Sequence, residues 1–169
     1  MRHLFAVVMG ALMVVSLAGC SEEQEPLAVE LVHTQEHGLI PFTATGSAAD
    51  EAAICSRGTT EIDHLESVDG EAITDEDWAD MFDTAMAEGG IAEMNVLQEY
   101  ICEDGSGNFT MRFLNRFDFA TFEFEGQQNV GSWEIEEGTG EYVDLSGSGD
   151  AALDWDNEKV TYNGEIKTS

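Results

Sequence analysis

Basic residues are scarce in this 169-residue chain: six Lys and Arg stand against 35 Asp and Glu, for a formal net charge of −29. A surface of that sign repels phosphate backbones and anionic head groups, which argues against nucleic acid as a partner. Cations and basic proteins are attracted to it, but a solubilising coat is its plainest use. Histidine is sparse as well, with His3, His33, His37 and His64 all lying in the first part of the chain. No G-x-S-x-G elbow is present, because Ser146 stands where the first glycine around Ser148 would be needed; this argues against a serine hydrolase. Carboxylate pairs are so abundant that none stands out for general acid and base work. Long apolar runs are missing apart from Leu4 to Val15, and even its extension to Gly19 falls short of the ~18–20 residues that cross a bilayer.

That one run follows Arg2 and His3 and ends in small residues, which is the layout of a signal peptide. Its last four residues, Leu17-Ala18-Gly19-Cys20, resemble the bacterial lipobox. The resemblance implies cleavage after Gly19 and acyl chains on Cys20, each buried CH₂ contributing about 0.8 kcal/mol to membrane attachment. An ordinary secretory signal that happens to end near a cysteine is the alternative. The expected organisation is a signal peptide over 1–19, then a lipidated N-terminus, tether and first strand over 20–37, then a β-barrel domain over 38–169 with a helical insertion at 74–90. The expected location is extracytoplasmic, on the cell membrane or, in a diderm, on the outer membrane.

With Cys20 assigned to lipid, Cys55 and Cys102 remain as a pair. In an oxidising compartment they are expected to form a disulfide. A reactive or metal-binding thiol pair is the alternative, but it lacks a C-x-x-C spacing or a nearby histidine.

From Leu27 onward, short alternating apolar runs are separated by Gly, Asn and Asp, the pattern of an all-β domain. The expected strands are Leu27 to His33, Leu39 to Gly46, Glu51 to Arg57, Met94 to Cys102, Asn108 to Leu114, Phe117 to Glu125, Val130 to Glu136, Gly149 to Asp154 and Lys159 to Ile166. Within Phe117 to Glu125 the aromatic phase switches between Phe119 and Phe122; either a β-bulge near Ala120 and Thr121 or a strand buried on both faces accounts for it. One helix is expected over Thr74 to Glu88, where Trp78, Met81, Phe82, Ala85 and Met86 form an apolar stripe. Thr74 can cap it and Gly89-Gly90 can stop it. Fifteen residues are marginal alone, so the stripe must pack on the barrel as a plug or brace, or serve as a movable lid or partner-binding face. Trp78 and Phe82 are candidate ligand or partner contacts on that face.

The run from Gly138 to Gly149 lacks the lysine of a P-loop, and no helix pattern follows it, so no nucleotide cofactor is implied. Gly138, Gly140, Gly147 and Gly149 read as structural, serving turns and close strand approach. This G-T-G-x-[FY]-x-x-[AL]-x-G-x-G run, with the Cys102-Glu103-Asp104-Gly105-Ser106-Gly107-Asn108-Phe109-Thr110 segment, resembles the allene oxide cyclase and dirigent barrel superfamily, including small secreted bacterial members. The resemblance spans about Gly38 to Ile166. It implies an eight-stranded antiparallel barrel with a partly apolar interior able to hold one small ligand. The plant enzymes of that superfamily cyclise or guide reactive lipid and phenolic intermediates, but none of their catalytic residues can be placed on this chain, which also departs from them in its lipobox, its cysteine pair and its helical insertion.

Two further groups carry candidate chemistry. Asp154, Asp156 and Glu158 sit at alternate positions of an EF-hand-like loop, but Lys159 stands where the turn needs glycine, so no metal is expected beyond weak Ca²⁺. Arg112 and Arg116 could bind an anionic ligand at the barrel mouth, or pair with surface acids. Three functions follow: a non-enzymatic barrel binding a small apolar ligand or envelope partner, a cyclase or isomerase acting inside it, and a structural or interaction protein using the helix face. The lipid assignment has a direct test. Cys20→Ala is expected to move the protein from the membrane to the soluble fraction, and continued membrane association would refute the anchor.

Overall fold

Strict two-residue alternation builds the walls. In β2 (Ile40–Thr45), Ile40, Phe42 and Ala44 are buried while Pro41, Thr43 and Thr45 face solvent. The same period places Phe109, Met111, Phe113 and Phe117 of β6 (Asn108–Asp118) inside. The computed structural model describes residues 25–34 and 38–168; Cys20 and His37 lie outside them. The remaining strands are β1 (Leu27–Thr34), β3 (Arg57–Glu66), β4 (Ala72–Ile73), β5 (Ile91–Cys102), β7 (Gln127–Gly138), β8 (Ser146–Asp154) and β9 (Lys159–Lys167), with helices α1 (Ser47–Asp50) and α2 (Asp75–Glu88).

Apart from the two-residue β4, which adds to β3 from outside, each strand pairs antiparallel with its neighbour in sequence, and β9 returns to pair with β1. The result is a closed eight-stranded up-and-down barrel with one extra strand and no free edge among the eight. The mainly β architecture and the amphipathic helix expected from the sequence are both present. Strand direction sorts the connections onto two ends. One end holds α1, the β5–β6 turn, the β7–β8 connection and the start of β1. The other holds α2, the β6–β7 loop and the β8–β9 hairpin.

Two strand assignments are corrected. Glu51 to Arg57 is not a strand: Ser47–Asp50 forms a single helical turn around the fully buried Ala48, the chain turns through Ala52 at φ 57°, and pairing begins at Arg57. Helix-favouring Ala48, Ala49 and Ala53 explain the difference. The strand from Arg57 to Glu66 was hidden by Glu61, Asp63 and His64, and by an irregularity between Ile62 and His64 that leaves Ile62 half exposed. Phe117 to Glu125 is not a strand either. β6 ends at Asp118, whose backbone carbonyl accepts from the N–H groups of Thr121 and Phe122 while its carboxylate accepts from Ala120 N–H. A turn, in place of a bulge or a two-faced strand, brings the phenylalanine rings together.

The first end is sealed covalently. Cys55 and Cys102 form a disulfide across 47 residues, with Cα atoms 5.8 Å apart. Beside it, the Tyr142 hydroxyl and Ser106 Oγ share a 2.6 Å hydrogen bond, and the Tyr142 ring meets Phe109 edge-on. The glycine run lies here. Gly140 adopts φ 61°, and a Cβ on it would stand 2.2 Å from the Ser106 carbonyl oxygen; one on Gly149 would stand 2.0 Å from that of Asn163. With Gly138 and Gly147 it lets the chain turn at the base of the barrel and the strands approach closely. For the disulfide, the chain-entropy model gives about 4 kcal/mol of stabilisation. The Cys55→Ser/Cys102→Ser double variant is expected to lose about 2–4 kcal/mol in urea unfolding, and an unchanged midpoint would contradict this.

Candidate functional site

The second end is closed by packing alone. Thr74 and Asp77 form a reciprocal capping box at the start of α2, and Gly89 ends it in the left-handed region at φ 65°. The helix covers the barrel with only part of its stripe. Trp78, Phe82 and Ala85 turn inward, whereas Met81 and Met86 remain 38% and 45% exposed. Phe82 meets Phe117 at 5.2 Å and Phe119 at 4.9 Å between ring centres, both edge-on, and Trp78 lies 6.2 Å from Phe117. From the opposite rim, Trp155 in the β8–β9 hairpin meets Phe122 at 5.8 Å and Phe124 at 5.2 Å. Aromatic rings from α2, β6, the β6–β7 loop and the hairpin therefore surround the mouth.

Beneath them is a cavity of about 190 Å³ walled by Trp78, Phe82, Phe113, Phe117, Leu153 and Val160. Two polar side chains also line it, Asn115 from β6 and Trp155 from the hairpin. Asn115 Oδ1 and Trp155 Nε1 are buried and have no hydrogen-bond partner among the described residues. Unpaired buried polar atoms are rare and cost about 1–3 kcal/mol each, and because both belong to residues that line this one small cavity, it is the candidate site. Larger depressions exist elsewhere, one of about 670 Å³ at the start of α2 lined by Ile62, His64, Ile73, Trp78 and Met94, but none is lined by Asn115 or Trp155.

The floor of the barrel is polar but fully engaged. Gln98 Oε1 accepts from the Tyr162 hydroxyl at 3.2 Å and the Tyr100 hydroxyl at 3.4 Å. The Gln98 amide nitrogen lies 3.3 Å from His33 Nε2, and His33 Nδ1 lies 2.7 Å from the Thr34 carbonyl. With the imidazole neutral and Nδ1 protonated, Nδ1–H donates to Thr34 and Nε2 accepts from Gln98, so every contact is satisfied. Burial pushes the Tyr100 hydroxyl well up and raises Tyr162 also. Burial likewise lowers His33 below 6.5, only partly offset by its bonds to Thr34 and Gln98. The cluster is thus a set of neutral, mutually bonded groups, and Phe113 stacks edge-on over Tyr162 at 5.4 Å between it and the cavity.

Other expected site residues fall elsewhere. Trp78 and Phe82 are at the cavity. Arg112 and Arg116 are on the outer wall, Arg116 at the mouth end of β6, and both are paired: Arg112 bridges Glu66, at 2.5 Å, and Glu136, while Arg116 pairs with Glu93. The bond to Arg112, together with that to His64, holds the Glu66 carboxyl below the usual carboxylate range. Asp154 caps its own turn, accepting from the N–H groups of Asp156 and Asn157 at 3.1 Å each and from the Asn157 amide at 2.8 Å. Among the described residues no group of three or more His, Cys, Asp and Glu side chains is placed to hold a metal ion. Asn115 and Trp155 were not among the expected site residues. Asn115 had a signal, since it occupies an interior position in the row Phe109, Met111, Phe113, Asn115, Phe117. Trp155, inside a hairpin loop, had none.

Searches of family models, curated proteins and solved structures match nothing to this chain. The site must accordingly be read from its own chemistry.

The buried histidine gives a pH prediction. Its folded pKa is depressed, so the stability it contributes is complete above 6.5 and is lost as pH falls toward the folded value. His64, raised by hydrogen bonds to Asp63 and Glu66, works in the opposite sense, but its side chain is 42% exposed and solvent screens it. Melting temperature is expected to drop between about pH 7.5 and 5.5, and His33→Gln is expected to flatten that interval. A wild-type profile already flat there would contradict the assignment.

Proposed function

We propose that the mature chain is a lipid-anchored extracytoplasmic barrel that binds a small, largely apolar ligand in the cavity under α2. The observation that carries this is the pairing of an aromatic and aliphatic wall with two buried, unpartnered polar atoms, the usual composition of a small-molecule site. The resemblance of the glycine run to cyclase and dirigent barrels supports the use of a barrel interior for a ligand. Binding is favoured over catalysis because no titratable side chain is among the residues that line the cavity, and the buried His33, Tyr100 and Tyr162 are already bonded to one another through Gln98.

The lipobox supports the anchor, and the disulfide fits an oxidising compartment. Cys20 precedes the first residue of β1 by a stretch reaching about 25 Å at most. Leu27 lies at the disulfide end of the barrel, pairing with Ile166 at the end of β9. On this reading the sealed end faces the membrane and the aromatic mouth points away from it, open to small molecules arriving from outside.

Native mass spectrometry of the protein purified from its own membrane tests the proposal. A small-molecule adduct is expected on the wild type, and Leu153→Phe, which fills the cavity from its wall, is expected to abolish it. A wild-type mass without adduct, or an adduct that survives in Leu153→Phe, would overturn the reading.

A further inference from the structure

The two unpartnered atoms differ in kind: Trp155 Nε1 carries only a donor, and Asn115 Oδ1 is only an acceptor. From this we infer that the ligand is a neutral alcohol of about one-ring size, whose single hydroxyl accepts from Trp155 and donates to Asn115. The inference rests on the binding reading above and names the chemistry of the same site.

Each competing ligand class fails on a specific contact. A carboxylate satisfies Trp155 but meets Asn115 Oδ1 with like polarity, and it finds no cation in the cavity, because Arg112 and Arg116 are bound to Glu66, Glu136 and Glu93 on the outer wall. An ammonium satisfies Asn115 but leaves Trp155 unpaired. The acidic surface would draw cations toward the protein, yet the rings do not form a cage for one: Trp78, Phe82 and Phe117 pack on one another at 5.2 to 6.2 Å between centres, which leaves no cation-sized gap among them. A pure hydrocarbon leaves both polar atoms unpaired. Among organic ligands, a hydroxyl both accepts from Trp155 and donates to Asn115 through one atom.

Size gives an independent bound. A dry apolar cavity of about 150 Å³ is enough to hold benzene. The cavity here, about 190 Å³, therefore has room for one ring and a short substituent. A single buried water bridging the two atoms is the competing occupant, and it predicts no preference among ring-sized probes.

The experiment is a titration of the full chain with benzyl alcohol, toluene, benzoate and choline, read from the indole ¹H–¹⁵N signals of its three tryptophans. The Trp155 signal is identified by its loss in Trp155→Phe. Benzyl alcohol is expected to move that signal and to bind about ten- to hundred-fold more tightly than toluene. Asn115→Leu, read from the Trp155 signal, and Trp155→Phe, read from the Trp78 signal, are each expected to cut this preference by about ten-fold, and a preference unchanged in either variant would overturn the inference; the second variant keeps the test alive if the first fails to fold. Equal binding of toluene and benzyl alcohol would sink the alcohol inference and leave an apolar receptor standing. Tighter binding of choline or benzoate would overturn it in favour of an ion. Failure of every probe to bind would overturn this inference together with the ligand-binding reading.

Discussion

Closure of the barrel by its first and last strands is the constraint on which the remaining structure depends. β1 and β9 pair over their full lengths, from Leu27 opposite Ile166 to Thr34 opposite Lys159. Without that seam the meander would be an open sheet with two unpaired edges, and its apolar face would need a second layer that the chain does not have. With it, every second side chain is committed to one interior. Phe42, Tyr100, Phe109 and Tyr162 fill the middle, Phe42 and Phe109 meeting Tyr100 at 5.1 and 5.0 Å. The open questions of the fold then reduce to how each end is finished.

The two ends are finished by different physics. At one, the disulfide, the Tyr142 contact and a run of tightly packed glycines fix the backbone, and little can move without breaking a covalent bond or a close backbone approach. At the other, a fourteen-residue helix rests on aromatic contacts, with two methionines of its stripe left half exposed. Packing of that kind leaves space, and the space is where the unpaired Asn115 and Trp155 atoms lie. Between the ends, the Gln98 cluster places four polar side chains inside an apolar barrel. Each is bonded, so the cluster costs little and fixes how β1, β5 and β9 face one another. The acidic surface is a separate matter: among the described residues Arg57, Arg112 and Arg116 are all held in ion pairs with glutamates, so they leave most of the negative charge unpaired.

Much of the wall was legible in the sequence because alternation is a local signal. The walls around Ile40 to Thr45, Asn108 to Leu114 and Lys159 to Ile166 follow directly from it, and α2 follows from its stripe, cap and terminal glycines. The failures have physical causes. In Arg57 to Glu66 the irregularity at Asp63 shifts the alternation by one, and the outward charges mask what remains. In 119–126, Phe119, Phe122 and Phe124 mimic a strand although the Asp118 turn decides the backbone. The site itself was half legible. Asn115 and Gln98 are polar residues in rows whose neighbours are all apolar, which is how a buried polar group announces itself. Their partners could not be read, because Tyr162 reaches Gln98 from 64 residues away and Trp155 reaches the cavity from a hairpin. For Arg112 the sequence left an anionic ligand and surface acids as alternatives, and its partner Glu66 could not be named because it lies 46 residues away and only the barrel brings it near.

Whether the cavity holds a ligand turns on what completes the hydrogen bonds of Asn115 Oδ1 and Trp155 Nε1. A near-atomic-resolution crystal structure of the protein, purified from its native source without added ligand, measures this most directly. Density for a ring-sized molecule within hydrogen-bond distance of both atoms is the predicted result. A cavity filled by Phe122 and Phe124, or a lone ordered water bridging the two groups, would contradict it.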